Sequence, residues 1–248
     1  MRKCRVGAGF QTRPHSGTPE GMPLRKMKKL GTNEIINLLV SSYGDRTWHT
    51  RLDPVGELVQ TILSQNTSDT NSHRSYTALI ELFGSWQHIA DSSTQQIAAA
   101  IRSGGLADAK ARYIKSALQS LEKETFNFNL LFLRDMTVKD ARDWLVRLPG
   151  VGMKTASCVL LFSLGMPAFP VDTHVYRVSK RLGLIENKTT VDAAHLTLEK
   201  LFKPEDIYRA HVLIIEHGRK TCKSQRPLCP KCGLKDICPW YKKPAAAG

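Results

Sequence analysis

The stretch LPGVGMKTA, Leu148 to Ala156, constrains this chain more than any other. Pro149, Gly150 and Gly152 together permit a tight turn, because proline fixes φ and glycine opens positive φ. Apolar residues at helical spacing lie on both sides, so the turn joins two helices back to back. The backbone N–H groups of Gly150, Val151 and Gly152, with those of the second helix's first turn, then point one way, toward an anion. Such a hairpin grips phosphate without reading sequence. Lys154 falls on that first turn, where the helix dipole disfavours its positive charge. It is therefore a candidate nucleophile. An acid, Asp172, follows in the segment FPVDTHV.

The overall charge agrees with an anionic partner. The chain has 36 Lys and Arg against 22 Asp and Glu, a formal net charge of +14. Such an excess favours nucleic acid first and an acidic membrane surface second. No apolar run approaches the ~20 residues of a membrane span, and no signal-peptide core is visible. No membrane partner is expected. Six cysteines in 248 residues are too few for a disulfide scaffold. Four of them crowd the C-terminal end, which suggests a metal site in a reducing compartment.

The periodicity is helical from residue 33 onward. Asn33 is placed to cap a helix carrying Ile35, Ile36, Leu38 and Leu39. Asp53-Pro54 reads as an N-cap followed by proline at the first helical position. Val55, Leu58, Val59, Ile62 and Leu63 then share one face. Asp69 starts the next helix and Gly84 ends it. Further helices are expected over residues 97–101, around 113–121, from Thr137 through Leu148 with Asp140 at the capping-box position, and over 154–164, 174–182, 191–202 and 204–217. No strand-like alternation lasts beyond four or five residues. The fold class expected is all-α with short connections. Residues 1–30 hold eight basic residues and one acid, Glu20. They read as a mobile basic arm, with a transit peptide as the other reading.

Cys222, Cys229, Cys232 and Cys238 have the spacing C-x6-C-x2-C-x5-C. Four thiolates so placed suit a tetrahedral zinc or a cubane iron–sulfur cluster, and spacing alone does not choose. Cys158 falls on the hairpin's second helix and reads as a core residue.

In order, LPGVGMKTA, FPVDTHVYRVSKRLG and the four-cysteine tail resemble the helix-hairpin-helix DNA glycosylases, within them the endonuclease III branch. The resemblance runs over about residues 33–241. It implies two helical domains, a barrel at 53–165 and a cluster domain made of 31–52 and 166–241, followed by a tail at 242–248. The active site would lie in the cleft between them. It implies a bifunctional glycosylase and abasic-site lyase with Lys154 and Asp172 as catalytic residues. Lysine attacks the sugar C1′ and displaces the base, giving a Schiff base. The carboxylate stabilises the positive charge that develops on the sugar and helps deprotonate the amine. The plainer role for Asp172 is a helix N-cap, and the two are compatible.

The same resemblance makes the cofactor a [4Fe–4S] cluster, with zinc the alternative, and sets Lys223 and Arg226 of the loop KSQRPL against DNA phosphates. Extruding a base leaves a gap that something must fill. The loop ILSQNTSD offers Gln65 and Asn66, with asparagine standing where the family usually has glutamine. The loop GGLADAK offers Leu106 as an apolar tip, unless it is an ordinary core leucine. His174 is a candidate for holding Asp172 or a phosphate. The substrate implied is an oxidised or ring-saturated pyrimidine in duplex DNA. The partner is duplex DNA carrying a damaged base or an abasic site, bound by a monomer inside the cell with chromosomal DNA. The Ser-Gln-Asn loop leaves mismatched-thymine and modified-cytosine substrates open. A non-enzymatic DNA-binding module is the alternative of another kind.

Overall fold

The computed structural model describes residues 31–242; the basic arm at 1–30 and residues 243–248 of the expected tail lie outside them. Among the described residues there are twelve α-helices and no strand. They are α1 (Thr32–Tyr43), α2 (Pro54–Leu63), α3 (Asp69–Phe83), α4 (Trp86–Asp91), α5 (Thr94–Ala100), α6 (Ala107–Glu124), α7 (Val138–Leu145), α8 (Met153–Cys158), α9 (Thr173–Leu182), α10 (Val191–Leu201), α11 (Ile207–Lys220) and α12 (Pro239–Lys242). None of them is long and apolar enough to cross a membrane.

Local chemistry sets most of the helix starts. The Asp53 carboxylate accepts the N–H groups of Val55 and Gly56 at 3.1 and 3.0 Å, with Pro54 in the first turn of α2. Ser68 caps α3, which ends on Gly84 in the left-handed region. Ser93 and Gln96 form a reciprocal capping box on α5. Three expectations need correction. Gly31, in extended conformation, takes the cap position of α1, so Asn33 lies inside the first turn and caps nothing. Asp140 does not complete a capping box. Thr137 accepts its N–H at 3.1 Å, but the Asp140 carboxylate takes the Thr137 hydroxyl at 2.7 Å rather than the backbone N–H. Finally, α7 stops at Leu145, and the helix expected over 154–164 is regular only to Cys158. It then widens into a π turn over Val159–Ser163.

Two apolar cores organise these helices. The first gathers Leu58, Ile62, Leu79, Ile97, Ile114, Leu118, Leu145 and Leu148 from α2 to α7 and the hairpin. The second gathers Ile35, Leu39, Phe169, Val175, Val178, Leu198, Ile214 and Leu234. The helix after the hairpin serves both. Ala156, Val159 and Leu160 enter the first core, and Cys158, Leu161 and Phe162 enter the second. A π turn carries more residues per turn than an α-helix and so re-aims the side chains that follow it. Polar ties join the halves as well. Buried Arg142 of α7 pairs with Glu199 of α10, whose carboxylate also accepts the Phe169 N–H at 2.8 Å. Trp48 donates its indole N–H to the Leu161 carbonyl at 2.7 Å.

Candidate active site

The hairpin is built as its glycines require. Gly150 has φ +78, and a Cβ there would lie 2.6 Å from the Tyr113 ring, so only glycine fits. Gly152 is the opposite case, with open space where its side chain would be. That space leaves its backbone approachable. One expected donor is lost: the Val151 N–H closes the turn onto the Leu148 carbonyl at 3.1 Å, and Val151 is buried. The donors left for an anion are Gly150, Gly152 and the first turn of α8, which the helix cannot satisfy internally.

Lys154 is the second residue of α8. Asp172 is the N-cap of α9, where its Oδ1 accepts the Val175 N–H at 2.7 Å. The cap uses one oxygen and leaves Oδ2 without a hydrogen-bond partner among the described residues. Both side chains line one cleft of about 490 Å³. The volume is in the usual range for a ligand pocket.

Three further side chains of this cleft, Arg51, His211 and Arg219, were not singled out from sequence, and Cys158, expected in the core, also reaches it. Arg51 lies over the Phe162 ring, 4.4 Å from its centroid, and forms an ion pair with fully buried Glu57 of α2. The signal was present: Glu57 and Thr61 are the two polar residues, one turn apart, on the buried side of an otherwise apolar helix. His211 of α11 packs edge-on to Phe162 and Phe169 at 5.5 and 5.7 Å. Burial pulls its imidazole down to about 4, so it is neutral at neutral pH. Arg219 of α11 reaches across to Asp69 at the start of α3, at 2.6 Å. Cys158 lines the same cleft, and burial pushes its thiol up. It is therefore a poor thiolate there.

The two loops offered for base extrusion share a feature. Asn66 and Leu106 both have left-handed backbones, with φ +53 and +51, an uncommon and costly conformation for leucine. Leu106 is 59% exposed, so it is no core residue. A buried lysine joins the two loops. Lys110 donates to the Leu63 carbonyl at 2.7 Å and the Gly104 carbonyl at 2.8 Å, holding the end of α2 to the turn before Leu106. Gln65 is half-buried and Asn66 exposed beside it. His174 does not line the cleft. It packs under Gly218 of α11 and accepts from Arg177 at 3.1 Å.

The four C-terminal cysteines line one small pocket with Leu182, Leu234 and Trp240, and all four thiols are free. Burial pushes the Cys232 and Cys238 thiols up, and neighbouring sulfurs push the same way. Among the described residues no three His, Cys, Asp or Glu side chains converge closely enough to share one metal ion. Hydrogen bonds already surround the sulfurs: Arg181 donates to Cys222 Sγ at 3.3 Å and the Leu234 N–H to Cys232 Sγ at 3.4 Å. Arg181 also holds the Lys223 and Ser224 carbonyls, at 2.7 and 3.1 Å. The loop is thereby pinned by its backbone while Lys223 and Arg226 stay exposed.

A glycine hairpin, a lysine and an acid on one cleft of a two-core helical fold describe a DNA-repair glycosylase. Residues 59–204 match the HhH-GPD superfamily of base excision DNA repair proteins, and the chain belongs to that superfamily. Within it the likeness is to endonuclease III. The chain is 33% identical over 222 residues to endonuclease III of Sulfolobus acidocaldarius, covering 89% of this chain and 94% of that protein. It superposes on a non-covalent endonuclease III–DNA complex with a TM-score of 0.74 at 32% identity, over 85% of this chain and 95% of the other. A trapped endonuclease III–DNA covalent intermediate gives 0.73 at 31% identity, over 86% and 98%. The chain is a bifunctional glycosylase and lyase of base excision repair.

Proposed function

We propose that this enzyme excises oxidised or ring-saturated pyrimidines from duplex DNA and then cuts the strand at the abasic site. The observation that carries the reading is the shared cleft of Lys154 and Asp172. The unprotonated Lys154 amine attacks C1′ as the C1′–N bond breaks, and the electron pair leaves with the base, which takes up a proton. Positive charge builds on the sugar, and the free Asp172 oxygen faces it. Asp172 then accepts the proton released by the new ammonium. Ring opening gives the imine. Loss of a C2′ proton then expels the 3′ phosphate by β-elimination.

The rest of the molecule presents the nucleotide. Gly152 and the start of α8 supply donors for a backbone phosphate. Gln65, Asn66 and Leu106 fill the space that the extruded nucleotide vacates, and their loops are already joined through Lys110. Lys223 and Arg226 meet further phosphates. His174 acts indirectly, supporting the α9–α11 contact behind Asp172. We take the first core as the heart of a barrel domain at 53–165 and the second as that of a cluster domain of 31–52 and 166–241, with Cys158, Leu161 and Phe162 crossing into the second. Cys222, Cys229, Cys232 and Cys238 would hold a [4Fe–4S] cluster, which supplies a cross-link for a segment with little core of its own. The four thiols line one pocket, and the likeness to endonuclease III favours that group over zinc.

Borohydride trapping tests the chemistry. Wild type is expected to form a covalent adduct with abasic-site duplex, and Lys154→Ala to form none. An undiminished adduct in that variant would remove Lys154 from its role. Asp172→Asn keeps a capping oxygen, so it is expected to fold and bind DNA with severely reduced turnover.

A further inference from the structure

Arg51 differs from Arg219, the other paired guanidinium of the cleft, because its carboxylate partner is fully buried while that of Arg219 is exposed. Arg51 Nε and Nη2 both donate to the Glu57 carboxylate, with Nε to Oε2 at 2.9 Å. Glu57 is fully buried, and Thr61 donates its hydroxyl to Oε1 at 3.2 Å. The Phe162 ring covers one face of the guanidinium, and the Arg51 backbone N–H donates to the Phe162 carbonyl at 3.3 Å. Backbone and side chain are thus both tied to the wall that carries Lys154 and Asp172. The side chain is nevertheless 49% exposed. A guanidinium carries five N–H donors in a rigid fork. Two are used, and the other three have no partner among the described residues.

We infer that Arg51 is a specificity-determining residue of the base-removal step, reading the carbonyl edge of the extruded base with those outward donors. This rests on the glycosylase reading above. Charge separates a base from a phosphate here. The guanidinium is already balanced by a buried carboxylate, so it needs a neutral acceptor rather than a second anion. Pyrimidine chemistry supplies one. Saturation or oxidation across C5 and C6 leaves the C2 and C4 oxygens of thymine and uracil derivatives in place, and leaves O2 and N3 as acceptors in cytosine derivatives. A fixed donor plane against that edge accepts the whole damage class while the C5–C6 edge varies. Adenine offers that edge a single ring acceptor, N1, flanked by the N6 donor and by C2–H, and would leave part of the fork unpaired, which a site built to hydrogen-bond penalises.

The experiment compares two substrates on the full chain. One is duplex DNA carrying dihydrothymine, which reports base excision. The other is the same duplex with a preformed abasic site, which reports β-elimination without a base to read. The variants are Arg51→Met with Glu57→Gln, so that no carboxylate is left unpaired, and Arg51→Lys, which keeps the ion pair and loses the fork. Excision is expected to fall roughly 10- to 100-fold in single turnover, the range of one charged hydrogen bond, while β-elimination stays within about twofold. β-elimination also reports that each variant is folded. Equal loss on both substrates would assign Arg51 to the phosphate or to the scaffold and overturn the proposal. So would wild-type excision in both variants. Absence of both activities in the wild type would instead strike the glycosylase reading beneath it.

Discussion

The two cores are held together by different means. In the first, α2, α3, α5 and α7 bring their own caps in Asp53, Ser68, Ser93 and Thr137, and the interior is a contiguous apolar cluster. In the second, polar links between distant segments carry much of the order. Tyr43 bridges His217 and Thr221 at 2.9 and 2.7 Å. His195 bonds the Phe169 carbonyl at 2.8 Å. Arg177 and Arg181 of α9 gather the carbonyls of Gly218, Cys222, Lys223 and Ser224. After Thr221, Leu234 is the one buried side chain among the described residues. Local caps start helices in both halves, Asp172 and Thr190 serving α9 and α10, but the second half depends more on links between distant segments, above all after Thr221.

That contrast can be broken most forcefully at the cysteines. Cys229→Ser with Cys232→Ser is expected to abolish hydrogen-exchange protection across residues 222–242 while α2 to α6 keep theirs. Equal collapse of both regions would show that they are not separately stabilised. Arg142→Met comes next. It strands the Glu199 carboxylate in a buried setting, and such breaks cost about 3–5 kcal/mol, readable as a lower urea midpoint at unchanged slope.

Acid should act more gently, through buried histidines of the second core. His195 and His211 are pulled down to about 4 by burial, against about 6.5 when unfolded. As pH falls below 6.5 the unfolded chain binds protons that the folded chain refuses, so stability declines until about pH 4. The loss is on the order of 1–3 kcal/mol per histidine. His195→Gln is expected to flatten the melting-temperature profile in that window. The smallest effect is Asp53→Ala in the first core, about 1 kcal/mol for a lost cap, seen in the same urea titration.

What the sequence made legible follows the same division. The apolar stripe of α2 and the Asp53-Pro54 start could be read from one window, as could the hairpin and the position of Lys154. The acid Asp172 could be read both as a cap and as a site residue, and its geometry permits both. Other features depend on partners far along the chain. Nothing near Arg51 announces that Phe162 will lie beneath it. Lys110 reads as a surface lysine until Leu63 and Gly104 are brought around it. The Val151 N–H is a local exception, lost to the Leu148 carbonyl three residues back when the turn closes. The π turn at Val159–Ser163, where the helix passes from one core to the other, is invisible in composition.

That shared helix has a mechanical consequence. When two walls of a cleft breathe, points far from the pivot travel and points on the pivot barely move. The segment from Ala156 to Phe162 contributes to both cores, so any shift of one wall against the other must pass through it, just after Lys154. The Arg219–Asp69 pair across the rim is exposed and such pairs hold weakly, whereas Lys154 rides on a helix packed into both cores.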